Sequence, residues 1–204
     1  MGAPAEIILA SGSAIRRQLL ASAGVVFSVQ PADVDEEAVR LDYATIPGGN
    51  PIPTGVARAL ARAKAEVVSA ANPDALVIGA DQVLVDVQMI FCKPADLGIA
   101  QMHLRALRGR SHVLHSAVAI AYRGAVVWET CESAQMTMRN FSDAFLDGYL
   151  AQTGERICQC VGAYEYEGLG LQLFERIDGD YFTILGLPML PLLTELRARG
   201  ALIA

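Results

Sequence analysis

A chain of 204 residues with 53% apolar and 19% charged side chains is long enough to bury a sizeable core, and its length suits one domain built of two intimate lobes. A net charge of −6 excludes the broad basic face that duplex nucleic acid requires, so any anionic ligand has to be met by a local cluster of positive charge. Apolar runs are broken by Asp, Arg, Gly or Pro well before about 18 residues, and the N-terminus carries neither a secretory signal nor a myristoylation site; the expectation is a cytoplasmic protein with no membrane partner.

The first predicted element is a short strand, "EIILA", followed by the small-residue turn "SGS" and the helix "AIRRQLLASAG". Ile15, Leu19 and Ala23 share one helical face, and Gly24 can end the helix. A strand, a turn and a helix N-terminus offer backbone N–H groups to an anion, with Ser11 and Ser13 supplying hydroxyls and Arg16 or Arg17 the charge. "VVFSV" reads as a second strand, leading to the acidic run Asp33 to Glu37 and a Gly- and Pro-rich loop from Ile46 to Gly55. From Thr54 to Ala71, Val56, Leu60, Val67 and Val68 fit a helix stopped by "NP", and Lys64 lies on it.

"ALVIGA" is a continuous apolar run, as in a strand buried on both faces, and it ends at Asp81. "DQVLVD" and "MIFCK" form the arms of a hairpin turning near Val87 and Gln88. Pairing Asp86 with Met89 sets Gln82 opposite Lys93, so that Asp81 and Lys93 share a neighbourhood. "DLGIAQMHLRALRG" is a helix with Asp96 as N-cap, Ile99, Ala100, Leu104 and Leu107 inward and Gly109 at its end. "HVLHSAVAIAY" and "VVWETCESAQMTM", joined by Arg123 and Gly124, make a long antiparallel hairpin. A helix from about Ser142 to Thr153, the glycine-rich "VGAYEYEGLG", a strand "LQLFERI", the segment "GDYFTILGLP" and a helix "PLLTELRAR" follow. Helices alternating with hairpins, without a flexible linker, argue for one mixed α/β architecture.

Fourteen arginines and two lysines, Lys64 and Lys93, make up the basic residues. Such a bias is consistent with Lys being kept where a compact ammonium fits and a rigid guanidinium does not. Together with acids at Asp35, Glu36 and Asp81 and the anion-ready turn, these lysines suit metal-assisted phosphoryl chemistry; ordinary surface salt bridges are the alternative. No Walker motif, dinucleotide fingerprint, H-E-x-x-H or G-x-S-x-G elbow occurs. Cys92, Cys131, Cys158 and Cys160 lack zinc-ribbon spacing and are expected to be reduced and mostly buried, and His103, His112 and His115 to be satisfied or exposed rather than metal ligands.

"LASGSAIRRQLL", "VDE", "ARAKA", "GADQV", "KP", "LRGRSH", "GAYEYEGLG" and "GDYFTILGLP" occur in the order found in the Maf nucleotide pyrophosphatases, and the sequence resembles that family over nearly its whole length. The resemblance implies the inosine-triphosphatase-like fold, an elongated, bent mixed sheet with flanking helices around a central cleft, as a single domain over residues 1–204. It implies hydrolysis of a nucleoside triphosphate between the α and β phosphates with a divalent cation, Mg²⁺ or Mn²⁺. Asp81 matches the family's proton acceptor, with Glu36 and Asp81 toward the metal and Ser11, Arg16, Lys64 and Lys93 among the phosphate-binding positions. Where many members have "SPRR", Thr after the catalytic Asp and Gln in the late motif, this chain has Ile15, Gln82 and Glu167. These three positions resemble the subgroup acting on 7-methyl-GTP rather than the one acting on dTTP and UTP. An acid and an apolar contact suit the positive charge of an N7-methylated guanine. A pyrophosphatase for dTTP, UTP or a broader set of nucleotides is the alternative, and a nucleotide-binding regulator of septum formation is the reading from another class. The resemblance also admits a homodimer.

Overall fold

The computed structural model describes residues 6–44 (side chains through 41), 52–87 and 89–203. Most of the expected Gly- and Pro-rich loop, and Gln88 of the expected turn, lie outside the described residues. Among the described residues seven strands, β1 (Ile7–Leu9), β2 (Ser28–Val29), β3 (Leu76–Asp86), β4 (Met89–Phe91), β5 (Ser111–Tyr122), β6 (Ala125–Met138) and β7 (Phe174–Asp178), hydrogen-bond in the order β2-β1-β3-β5-β6-β7, with β4 added against β3. Parallel pairs of β1 with β2 and with β3, together with antiparallel pairs of β3 with β4 and of β6 with β7, make the sheet mixed. The chain gathers into two compact units, one of residues 1–82, 115–132 and 181–204, the other of residues 83–114 and 133–180.

In the first unit, Ala10 N–H continues the β1–β3 ladder by donating to Ile78 O at 2.8 Å. Helix α1 (Ala14–Ser22) follows and is capped by Ser13, whose Oγ accepts from Arg16 N–H. Its buried positions are Leu19 and Leu20, whereas Ala23 is exposed at the C-cap, so the inward face is rotated toward Leu20 from the expected one. Gly24 takes the left-handed conformation that ends the helix (φ +73°). Only Ser28 and Val29 of "VVFSV" are strand. A helix not foreseen in the sequence, α2 (Glu36–Ala44), begins within the acidic run. Asp35 Oδ1 accepts from Ala38 N–H at 3.0 Å, and Glu36 and Glu37 face the positive end of the helix dipole.

Helix α3 (Pro53–Ala71) opens with proline at its first position, where the missing N–H costs nothing, so it starts inside the expected loop. Val56, Leu60 and Val68 are buried as expected, with Ala57, Ala61 and Ala65 beside them, but Val67 is exposed. Small side chains along this face let the helix lie close to β3. A Cβ built on Gly79 would sit 2.2 Å from Ala61 O and 2.6 Å from Ala65 N. Val68 packs with Ile8, Ala10, Ala75 and Val77 in one core cluster. The unit is completed by short α6 (Tyr181–Ile184) and by α7 (Met189–Ala198).

Strand β3 does not end at Asp81: it runs on to Asp86, because its apolar positions stay buried and its ladder with β4 (Met89–Phe91) continues it. The expected register holds, Asp86 opposite Met89 and Leu84 opposite Phe91, but the ladder stops there, so Gln82 and Lys93 are not a ladder pair. In the second unit, α4 (Leu97–Leu107) is capped by Asp96, which accepts from Ile99 N–H at 2.8 Å; Ala100, Leu104 and Leu107 are buried and Ile99 is exposed. Strands β5 (Ser111–Tyr122) and β6 (Ala125–Met138) are joined, within the first unit, by Arg123 and Gly124, both at positive φ, as a two-residue hairpin turn requires. Ser142 caps α5 (Asp143–Thr153); a short 3₁₀ turn (Gly154–Gln159) follows, and two more, Val161–Ala163 and Leu169–Leu173, flank the middle of the glycine-rich segment before β7 (Phe174–Asp178), which takes only the second half of "LQLFERI". All four cysteines are free thiols and, contrary to expectation, none is buried: Cys92 is exposed and the others are half-buried. His112 is buried and bonds Tyr164 Oη through Nε2 at 2.8 Å, within an aromatic cluster completed by Phe174.

Candidate active site

The sequence places Asp81 next to Gly79 and Ala80 on a strand buried on both faces, so its carboxylate leaves water unless something compensates. The compensation comes from Lys64 on α3. Lys64 Nζ lies 2.6 Å from Asp81 Oδ1 and 2.7 Å from Glu36 Oε1, tying the start of α2, the middle of α3 and β3 together through one ammonium. The Lys64 and Asp81 side chains are 12% and 8% exposed, Glu36 is 40% exposed, and Arg40 adds a second cation to Glu36 at 2.9 Å. Burial alone would raise the Glu36 pKa; hydrogen bonds and charge from Lys64 and Arg40 outweigh it and hold the carboxyl below its ordinary range. Asp81 Oδ2 remains buried and accepts no hydrogen bond from the described residues.

The turn after β1 contributes Ser11 and Arg16. Ser11 is buried and its Oγ accepts from Ser13 N–H and from Arg16 Nη1, each at 3.3 Å. Arg16 also donates from Nη1 to Ala80 O at 2.8 Å and from Nε to Gly186 O at 2.9 Å. Burial lowers the Arg16 pKa, and the nearby charges of Asp81 and Glu36 counteract the shift. Arg16 thus fastens the residue before Asp81 to the Gly186 turn, and Ser13 is committed to capping α1. Arg17, one position on, is exposed and carries no side-chain bond to the described residues.

Gln82 is held from a direction the sequence did not suggest: its Nε2 reaches Ser116 Oγ, Thr183 O and Ile184 O at 2.9, 3.2 and 3.0 Å. Ser116 was legible only as a serine inside the apolar run "SAVAIA", and nothing in the sequence pairs it with the segment after Asp180. Ile15 is half-buried on the first turn of α1. The first unit therefore brings together Ser11, Ser13, Ile15, Arg16, Arg17, Glu36, Lys64, Asp81 and Gln82, while exposed Lys93 and Glu167 belong to the second. There Lys93 and Glu167 both lie close enough to Cys160 to influence its thiol: burial raises its pKa to about 11, with Glu165 and Glu167 adding to the shift and Lys93 opposing it.

A family model described as a Maf-like protein matches residues 6–199. The chain belongs to the Maf family. This Maf protein is 51% identical to a protein of Rhizobium johnstonii named 7-methyl-GTP pyrophosphatase, over 97% of this chain and 98% of that one. A protein of Rhizobium meliloti with the same name is 48% identical over 96% of this chain and 97% of its own. A protein of Paramagnetospirillum magneticum named nucleoside triphosphate pyrophosphatase is 51% identical over 96% of this chain and all of its own.

As to a metal, the described residues hold no group of three or more His, Cys, Asp or Glu side chains able to cage an ion. They do hold two carboxylates bridged by one ammonium, with a buried carboxylate oxygen unpartnered. That donor set fits a hard cation of the Mg²⁺ type, which takes one or two carboxylates and completes its shell with water and phosphate oxygens.

Proposed function

We propose that this Maf protein is a hydrolase that cleaves a nucleoside triphosphate between the α and β phosphates, releasing a monophosphate and pyrophosphate, and that 7-methyl-GTP is its substrate. The names of the Rhizobium relatives support the substrate, as do Ile15, Gln82 and Glu167 at the three positions where the subgroups differ. The observation that carries the chemistry is the Asp81 carboxylate, anchored through Oδ1 on Lys64 while buried Oδ2 has no partner among the described residues. A lone pair held in that way is suited to take the proton of an attacking water. Lys64 holds Glu36 ionised, pairs with Asp81 and adds positive charge beside the phosphates, and exposed Arg17 and the first turn of α1 supply more. Arg16, with Nε given to Gly186 O and Nη1 to Ala80 O and Ser11 Oγ, orients the strand end that carries Asp81. Glu36 and Asp81 would hold the divalent cation, which when bound neutralises phosphate charge and stabilises the leaving pyrophosphate. A broader nucleotide pyrophosphatase is the second reading, favoured by the name of the equally similar Paramagnetospirillum relative.

The test is turnover of 7-methyl-GTP, GTP, dTTP, UTP and CTP with Mg²⁺ or Mn²⁺, separating pyrophosphate from phosphate, in the parent and in Asp81→Asn. Fastest pyrophosphate release from 7-methyl-GTP, reduced at least a hundredfold in Asp81→Asn, is the expected outcome, since a positioned base contributes about 10²–10⁴-fold. Comparable rates on several nucleotides would favour the broader reading, and nucleotide binding without product would overturn both.

A further inference from the structure

The carboxamide of Gln82 is held in one orientation by its surroundings. Two of the three atoms around Nε2, Thr183 O and Ile184 O, are carbonyl oxygens that can only accept, so a flipped amide would set oxygen against oxygen. The third is committed as well: Ser116 has a single hydroxyl proton and gives it to Thr183 O at 2.7 Å, leaving only lone pairs for Gln82. Ser116 and Thr183 are 0% and 1% exposed, so water does not compete for these bonds. Three acceptors thus face the two amide protons. The remaining atom, Oε1, accepts nothing from the described residues and is not among the buried unpartnered atoms, so it opens to solvent on the half-buried residue next to Asp81.

The same neighbourhood holds Arg16. A Cβ built on Gly186, which sits at φ +87°, would lie 3.3 Å from Arg16 Nη2 and 3.7 Å from Gln82 Cδ. One turn therefore backs both side chains, with its carbonyls taking their protons. We propose that Ser116 is a positioning residue that presents Gln82 Oε1 as a fixed hydrogen-bond acceptor, so that this site selects nucleotides carrying an N–H or O–H donor there. The inference rests on the nucleotide reading above and deepens it: Gln82 discriminates by what it accepts and has no proton left to donate. An immobile acceptor facing a ligand without a donor loses its own hydration with no return, the usual origin of discrimination by single polar groups. Guanine offers such donors at N1–H and the 2-amino group, and ribose offers its hydroxyls.

The experiment is a set of dissociation constants, by calorimetry, for uncleavable α,β-methylene 7-methyl-GTP and for its analogues lacking the 2-amino group, the N1 hydrogen, the 2′-hydroxyl or the 3′-hydroxyl. In the parent, one analogue should bind about tenfold more weakly than 7-methyl-GTP, the worth of one fixed hydrogen bond, and its identity assigns the donor to base or sugar. In Ser116→Ala the preference should shrink to about twofold or less, and Ser116→Thr, which keeps the hydroxyl, should restore it. Gln82→Leu, which leaves the bond from Ser116 to Thr183 intact, should abolish it and guards against a Ser116→Ala chain that folds poorly. Equal binding of every analogue by the parent, no binding of any, or a preference that survives in Ser116→Ala and Gln82→Leu would overturn the proposal. The predicted pattern in a protein that releases no pyrophosphate would leave the proposal standing and sink the pyrophosphatase reading alone.

Discussion

Gly79→Ala tests whether the approach of α3 to β3 is what makes the site. Gly79 and Asp81 are two residues apart on one strand and point to the same face, the face that meets α3. The added methyl would lie 2.2 Å from Ala61 O, 2.6 Å from Ala65 N and 2.9 Å from Ala65 Cβ, and the two shortest contacts are with helix backbone, which cannot rotate away. Restoring a tolerable 3.0 Å requires α3 to retreat by about 0.8 Å, an overpacking displacement that costs about 1–3 kcal/mol. For a chain of this size each kcal/mol lowers Tm by about 2–4 °C, so calorimetry should find a drop of roughly 2–12 °C. Lys64 rides on the same helix, and its 2.6 Å contact with Asp81 is stretched unless the side chain follows; pyrophosphate release should fall by about tenfold to a hundredfold. Combining Gly79→Ala with Ala65→Gly removes only the 2.9 Å contact and should not restore stability. A Gly79→Ala protein melting within about 1 °C of the parent, or one rescued by Ala65→Gly, would refute the reasoning.

Removing the shared ammonium should expose what it compensates. Lys64→Met leaves Asp81 buried without its cation and should cost about 3 kcal/mol, the low end for a buried pair because Glu36 is partly exposed, as read from urea denaturation. Lys64→Met with Asp81→Asn should recover most of that loss, and simple additivity in the double-mutant cycle would contradict the pairing. A second measurement follows stability against pH. Burial lowers the His112 pKa from 6.5 to about 4, so between those values the unfolded chain binds the extra proton and stability falls as pH falls. From pH 7.5 to pH 5 the loss attributable to His112 is about 2 kcal/mol, and the urea midpoint of His112→Gln should be correspondingly flatter than that of the parent over this window.

What was legible in the sequence was whatever depends on neighbours along the chain. The Arg123 and Gly124 turn, the Asp96 cap and the Asp86 to Met89 register are fixed within a few residues, and each appears as read; Ser13 and Ser142 cap their helices without having been read as caps. The acidic run was read without an element of its own, although Asp35 followed by Glu36 and Glu37 is a good opening for helix α2. The candidate site was legible as a set of residues and not as a set of pairs. Asp81 was matched with Lys93 by extending a ladder that stops at Leu84 and Phe91, whereas its cation comes from Lys64, 17 residues away on a helix brought close by a glycine. Arg16 read as a phosphate ligand from its place in the turn; its use of Ala80 O and Gly186 O depends on a contact 170 residues distant that no local pattern records.

The way the two units share the chain also bears on synthesis. The backbone passes between them four times, after Gln82, Leu114, Glu132 and Asp180, so neither unit is a contiguous fragment that can be expressed by itself. A nascent polypeptide halted before Thr183 possesses Asp81, Lys64 and Glu36 yet lacks the carbonyls that fasten Gln82 and Arg16. Assembly of this pocket is therefore a late event in vectorial translation, and a stalled or truncated product retains the acids and bases of the site without the frame that orders them.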